Sequence, residues 1–231
     1  MRATRLAVGV CATCMALAGP LGAQAGRAVS PPPQSLQHAG SLTTGLQDDI
    51  AAGRWDVAQH KLYALQRLIP RLDSLEEALE ADGRMEDRED RPELGALVDS
   101  LANRLEDQRR VPALASANTV GRALLPLLAA FSTAPQLAVA ELDVAGRDLQ
   151  YAVDRGAWNA ADHALEEIRQ AYATVQPLLV QNAPNLNATV ERRLTDLAGA
   201  LQAHLHVRTH SLAGEFLQDV DLIHSTFTTD H

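Results

Sequence analysis

A ten-residue segment occurs twice in this chain, and its recurrence constrains the fold more than any other feature. Gly53-Arg54-Trp55-Asp56-Val57-Ala58-Gln59-His60-Lys61-Leu62 returns as Gly156-Ala157-Trp158-Asn159-Ala160-Ala161-Asp162-His163-Ala164-Leu165. Gly, Trp, Ala, His and Leu are identical, and the same offset relates Leu46-Gln47 to Leu149-Gln150. The two tryptophans are the only ones present. Such self-similarity at a fixed spacing is the mark of a tandem duplication. The chain is therefore expected to hold two related halves, repeat one over about 41–131 and repeat two over about 136–228.

Each copy reads as helices. Trp55, Ala58, Leu62, Leu65 and Ile69 share one helical stripe, as do Trp158, Ala161, Leu165 and Ile168. In copy one a lead-in helix is expected from about Leu42 to Ala52, then a glycine turn, then a helix opening at Trp55. A polar loop over 81–93 and a long amphipathic stretch over 94–131, interrupted near Pro112, complete the unit. Copy two follows the same plan, with lead-in 136–155, loop 181–187 and closing stretch 188–227. Aromatic residues make up only 3% of the chain, so leucine, alanine and valine must fill the core. Such a core suits close helix packing better than a β-sandwich. The expected fold is all-α: a single helical-bundle domain over 41–229, its repeats related by a pseudo-twofold axis.

Gly-x-Trp-x-x-Ala-x-x-x-Leu, with Pro70 fifteen residues beyond Trp55, is similar to the second helix of a tetratricopeptide hairpin. The resemblance covers about 18 residues per copy. It implies a local arrangement: glycine makes the turn and the small alanine lets two helices approach. Ala173 stands where copy two would carry that proline, and Pro177 follows four residues later. With copies 103 residues apart instead of about 34, no superhelical peptide-binding array is inferred.

The first 25 residues have the form of a secretory signal peptide. Arg2 and Arg5 precede an apolar run from Leu6 to Ala18, and Ala23-Gln24-Ala25 fits a cleavage site. The expected destination is the periplasm or the exterior. Cys11 and Cys14, the only cysteines, fall inside this leader, so their C-x-x-C spacing carries no redox or metal chemistry in the mature chain. Residues 26–40, with Pro31-Pro32-Pro33, read as a disordered tether. Beyond the leader no apolar run is long enough for a transmembrane anchor. The formal charge of −9 disfavours nucleic acid as a partner, and loss of Arg2 and Arg5 makes the chain more acidic still. A protein or small ligand outside the cytoplasm is the expected partner.

Among candidate site residues the histidines stand out. His60 and His163 occupy one repeat position, opposite the Trp/Ala/Leu stripe. They serve either as hydrogen-bonded contacts to a neighbouring element or as ligands of a metal, with Asp56 or Glu166 orienting the rings. His206 and His210 stand at i,i+4, a spacing that can chelate one metal from one helix face. They also fall on a stripe with Ala213, Leu217, Val220, His224 and Phe227, which would half-bury them. No cofactor is required by the sequence; a metal or non-covalent haem on these histidines is the alternative to a binding or scaffolding role. Covalent c-type haem is excluded by the lack of Cys-x-x-Cys-His beyond the leader. Glu86-Asp87-Arg88-Glu89-Asp90-Arg91 reads as a solvated loop, and Asn187-Ala188-Thr189 as a glycosylation sequon if the host is eukaryotic. Phosphate-cradling loops, nucleophile elbows and dinucleotide fingerprints are missing, and nothing in the motifs favours catalysis.

Overall fold

The computed structural model describes residues 30–85 and 92–228. The leader read in residues 1–25 and the charged run Glu86 to Arg91 lie outside the described residues. Among the described residues the chain is all-helical: α1 (Gln34–Ala51), α2 (Trp55–Gln66), α3 (Ile69–Ala81), α4 (Leu94–Glu106), α5 (Arg110–Ala129), α6 (Ala134–Asp154), α7 (Trp158–Asn182), α8 (Pro184–Gln202) and α9 (His206–Thr228). Among the described residues no helix is long and apolar enough to cross a membrane.

The helices pack in two rings. In the first, α1 lies against α2 and α5, and α4 closes the ring by packing on the same two. In the second, α6 lies against α7 and α9, and α8 packs on those two. The buried apolar side chains divide accordingly. One cluster contains Leu46, Leu62, Leu65, Val98, Leu101 and Leu124. The other contains Leu149, Leu165, Ile168, Val175, Leu197 and Phe216. Packing of α5 on α6 joins the halves, and Tyr151 of α6 belongs to the first cluster.

The sequence explains the main boundaries. Gly53 and Gly156 take φ of 70° and 66°, a left-handed conformation that costs glycine little. Around them the hydrogen bonds match pair for pair: Gly53 N–H to Ile50 O and Gly156 N–H to Val153 O, Arg54 N–H to Asp49 O and Ala157 N–H to Ala152 O. Helix α6 starts sharply because the Gln136 Oε1 accepts from both the backbone N–H and the hydroxyl of Thr133, each at 3.0 Å. Pro135 in its first turn has no N–H to leave unsatisfied. The stripes read from Trp55 and Trp158 face inward as expected. Ala58, Leu62, Leu65, Ala161, Leu165 and Ile168 are buried, while both tryptophans are half-buried at the helix starts.

Three expectations change. Residues 34–40, read as part of the tether, are helical: α1 begins at Gln34 and already buries Leu36 and Ala39 completely. The closing stretch of copy one breaks at Gln108 (φ 50°), and Pro112 instead sits in the first turn of α5, where it costs no helical bond. The closing stretch of copy two breaks as well, at His204 (φ 51°), where no glycine or proline marks it.

Candidate functional site

A groove of about 910 Å³ runs between the two halves. One side is formed by Pro31 and Pro32 ahead of α1, by Thr44 of α1, and by Leu128 and Phe131 at the end of α5. The other is formed by Gln136, Val139, Ala140, Asp143 and Arg147 of α6 and by Val220, Asp221, His224 and Phe227 of α9. The α5–α6 turn, Ser132-Thr133, closes one end. The volume lies in the usual range for small-molecule sites, roughly 300–1,000 Å³.

Several local contacts hold this groove in shape. The Arg84 guanidinium lies 4.9 Å from the Phe131 ring centre and donates to the Ala130 carbonyl, capping the end of α5. Close approach of α9 to α6 depends on Gly146, where a Cβ would fall 2.9 Å from Leu217 and 3.2 Å from the Phe216 ring. On the groove wall, Arg147 Nε donates to both carboxylate oxygens of Asp143 at 3.1 Å. Burial works against the Arg147 charge, yet Asp143 and then Tyr151 outweigh it and hold the guanidinium above its ordinary pKa. Burial in turn pushes the Tyr151 hydroxyl up.

Deeper between the halves runs a polar seam. Asn118 of α5 is buried and hydrogen-bonds with three partners: it accepts from Gln47 of α1 at 3.2 Å and donates to the Val144 carbonyl at 2.9 Å and Asp148 at 2.7 Å. One turn along, Arg122 bridges Asp148 of α6 at 2.6 Å and Glu167 of α7 at 2.7 Å. A second, smaller cleft of about 300 Å³ opens beside it, lined by Arg122, Leu125, Glu141, Ala145, Glu167, Gln170 and Ala171. Burial raises the Glu141 carboxyl above its ordinary pKa there, against the pull of Arg122.

The histidines occupy separate places. His60 is exposed on α2, with Nδ1 2.7 Å from the Asp56 backbone carbonyl instead of its carboxylate. His163 is exposed on α7, with Nδ1 3.5 Å from Glu167 at i+4, where Glu166 had been the expected orienting group. Helices α2 and α7 share no packing neighbour, so the fold does not bring these two rings together. His206 is exposed and meets the Trp158 indole edge-on at 6.4 Å, beside His204, which stacks on the same indole at 4.8 Å. His210 is half-buried, its Nδ1 2.7 Å from Asp154.

The stripe expected through His206 and His210 is out of register. The buried face of α9 is Thr209, Leu212, Ala213, Phe216, Asp219, Val220 and Ile223, leaving His206 and His224 outside. The aromatic and branched anchors Phe216 and Ile223 set that register. Among the described residues, no three His, Cys, Asp or Glu side chains are grouped to hold a metal. The sequon asparagine is also enclosed: Asn187 is buried and its Oδ1 accepts from the Tyr172 hydroxyl at 2.6 Å.

Sequence reasoning missed the groove and the seam. In the sequence Asp143 and Asp148 fall within helical patterns, and Ser116, Asn118 and Thr119 form a polar patch, with nothing to link the two. The available signal was Asn118 and Arg122 one turn apart among Ala117, Val120, Ala123 and Leu124 of a largely apolar helix, where buried polar groups demand partners. In comparisons with known proteins, no family model, no curated protein and no solved structure matches this chain.

Proposed function

We propose that this chain is an exported, non-catalytic helical binding or scaffolding protein, and that the groove between its halves receives the ligand or partner. The observation carrying the reading is the groove itself: ligand-sized, walled by Val139, Ala140, Val220, Phe227, Leu128 and Phe131, and held open by fixed contacts at both sides. The leader-like first 25 residues support export.

The halves are proposed to be copies of one ancestral unit, arranged about a pseudo-twofold axis. Matching hydrogen bonds at the two glycine turns support this, as does the identical order of packing in the two rings. A coordinated replacement supports it further. Asp49, Arg54 and Lys61 form an ion cluster in the first half, and the three positions at the repeat offset are Ala152, Ala157 and Ala164. Exchanging all three together avoids stranding a buried charge.

Binding of the neutral dye N-phenyl-1-naphthylamine tests the groove. Its fluorescence is expected to rise with the wild-type protein and to stay at the free-dye level with Ala140→Trp, which fills the groove from a half-buried position on α6. Equal enhancement by a folded Ala140→Trp protein, or none by the wild type, would remove the groove as the binding site.

A further inference from the structure

The charges around the groove narrow the chemistry of what it holds. Arg147 and Asp143 are engaged with one another and contribute no net charge. Asp221, on the exposed side of α9, forms no ion pair among the described residues. Among the described residues the groove therefore presents an apolar wall with the Asp221 carboxylate at its edge and His224, already engaged, one turn along α9, on a chain whose formal charge is −9. An anionic headgroup entering here would meet Asp221 and find the guanidinium already held by a carboxylate. A neutral headgroup would gain nothing from the carboxylate's charge. A cation gains locally from Asp221 and at long range from the field of the whole chain, which concentrates cations at its surface.

Resting on the groove reading above, we propose that the occupant is a cationic amphiphile, its apolar body along α6 and α9 and its ammonium-type headgroup beside Asp221. Burial of the apolar body supplies affinity, and the carboxylate selects the sign of the head. The alkyl part packs against Val139, Ala140, Val220 and Phe227, which lie on the two helices of that wall.

Three probes with the same ten-carbon tail test this: decyltrimethylammonium, decyl maltoside and decanoate, each titrated below its micellar concentration by calorimetry. The ammonium compound is expected to bind about tenfold tighter than the maltoside, as one partly screened charge contact would give. Decanoate is expected to bind weakest. Asp221→Asn is expected to bring the ammonium compound down to the maltoside level without altering maltoside binding. Ala140→Trp is expected to abolish binding of all three. If all three bind alike and Ala140→Trp still blocks them, or if decanoate binds tightest, the groove stands as the site but the cationic preference is overturned. Should none of them bind, the groove reading falls together with the preference. An Ala140→Trp protein that fails to fold leaves the Asp221→Asn comparison as the deciding measurement.

Discussion

The Lys61 ammonium meets the Asp49 carboxylate at 2.7 Å between α2 and α1, and at the repeat offset the same two positions are Ala164 and Ala152, both buried. Asp49 is nearly inaccessible, whereas Lys61 keeps a third of its side chain exposed and also donates to the Gly45 carbonyl at 2.9 Å. Arg54 adds a second contact to Asp49 at 2.6 Å from a more exposed position. Removing Lys61 alone leaves a buried carboxylate with only the outer cation. Lys61→Ala is therefore expected to destabilise by about 2–3 kcal/mol, the low end for a broken buried pair because solvent reaches the lysine. The triple change Asp49→Ala/Arg54→Ala/Lys61→Ala copies the second half and is expected to recover most of that loss. Urea unfolding of the two variants checks the order.

The same cluster predicts a response to acid. The hydrogen bond from Lys61 acts against the desolvation of Asp49, and with help from Arg54 the carboxyl is held below its ordinary pKa. A depressed carboxyl contributes stability that is present above the unfolded-state value of about 4 and is lost as pH falls through the lower folded-state value. Thermal melts from pH 6 down to about 2 should show a steeper loss in the wild type than in the triple alanine variant. Parallel curves would show that Asp49 takes no part in acid unfolding.

Tyr172 predicts the opposite limb. Burial, and after it the charge of Glu191, pushes its hydroxyl up to about 12. The unfolded chain releases that proton near pH 10, so this group's contribution is full below about 10 and is lost as pH rises towards 12. Tyr172→Phe strands the Asn187 side-chain oxygen and is expected to cost about 1–2 kcal/mol at pH 7. The wild type's advantage over this variant should shrink between about pH 10 and 12, as measured by denaturant midpoints.

Asn118 tests how the halves communicate. Its partners come from α1 and α6, and Arg122 extends the seam to α7. Asn118→Leu has similar bulk but takes a hydrogen-bond partner from Gln47, the Val144 carbonyl and Asp148, of which Asp148 keeps Arg122. We expect a loss of about 2–4 kcal/mol. Calorimetry should also show the single heat-absorption peak broadening or splitting as the two cores uncouple. A sharp, merely shifted peak would mean that apolar contact of α5 with α6 suffices for cooperativity.

Helix α1 predicts where truncation begins to matter. Among the described residues, removal up to 33 takes away the groove-lining Ser30, Pro31 and Pro32, the Gln37 side-chain bond to Pro32 and the bonds of the Leu36 and Gln37 N–H groups to the Pro33 carbonyl, all at the exposed end of α1, and the melting temperature is expected to change little. Removal up to 40 takes Leu36 and Ala39 out of the first core. Leu36→Ala alone should cost about 2–4 kcal/mol.

These residues also show how far the sequence could be read. The turns at Gly53 and Gly156 were legible because glycine, tryptophan and alanine each report a local requirement: a left-handed turn, a helix start and a close approach. The start of α1 was hidden by Pro31-Pro32-Pro33, although Leu36, Ala39, Leu46 and Ile50 already form a helical stripe leading back to Pro33. The break at His204 left no trace, since a histidine adopts the conformation usually given to glycine and then stacks on Trp158. Paired histidines looked like a site because the same short pattern carries both, yet His60 and His163 are each exposed, on helices that do not pack together. The groove and the seam depend on how α5 meets α6. That is decided by contacts far apart in sequence, which no single helical pattern records.

Directional bonds along the seam have a further consequence. Two apolar helix faces can slip past one another by a turn and pack almost as well, but the Asn118 amide reaches Val144 and Asp148 in one alignment only. That alignment also sets how Leu128 and Phe131 stand opposite Val139 and Ala140. The width of the groove is thus gauged by hydrogen-bond lengths some ten residues away, so its aperture belongs to the fold itself.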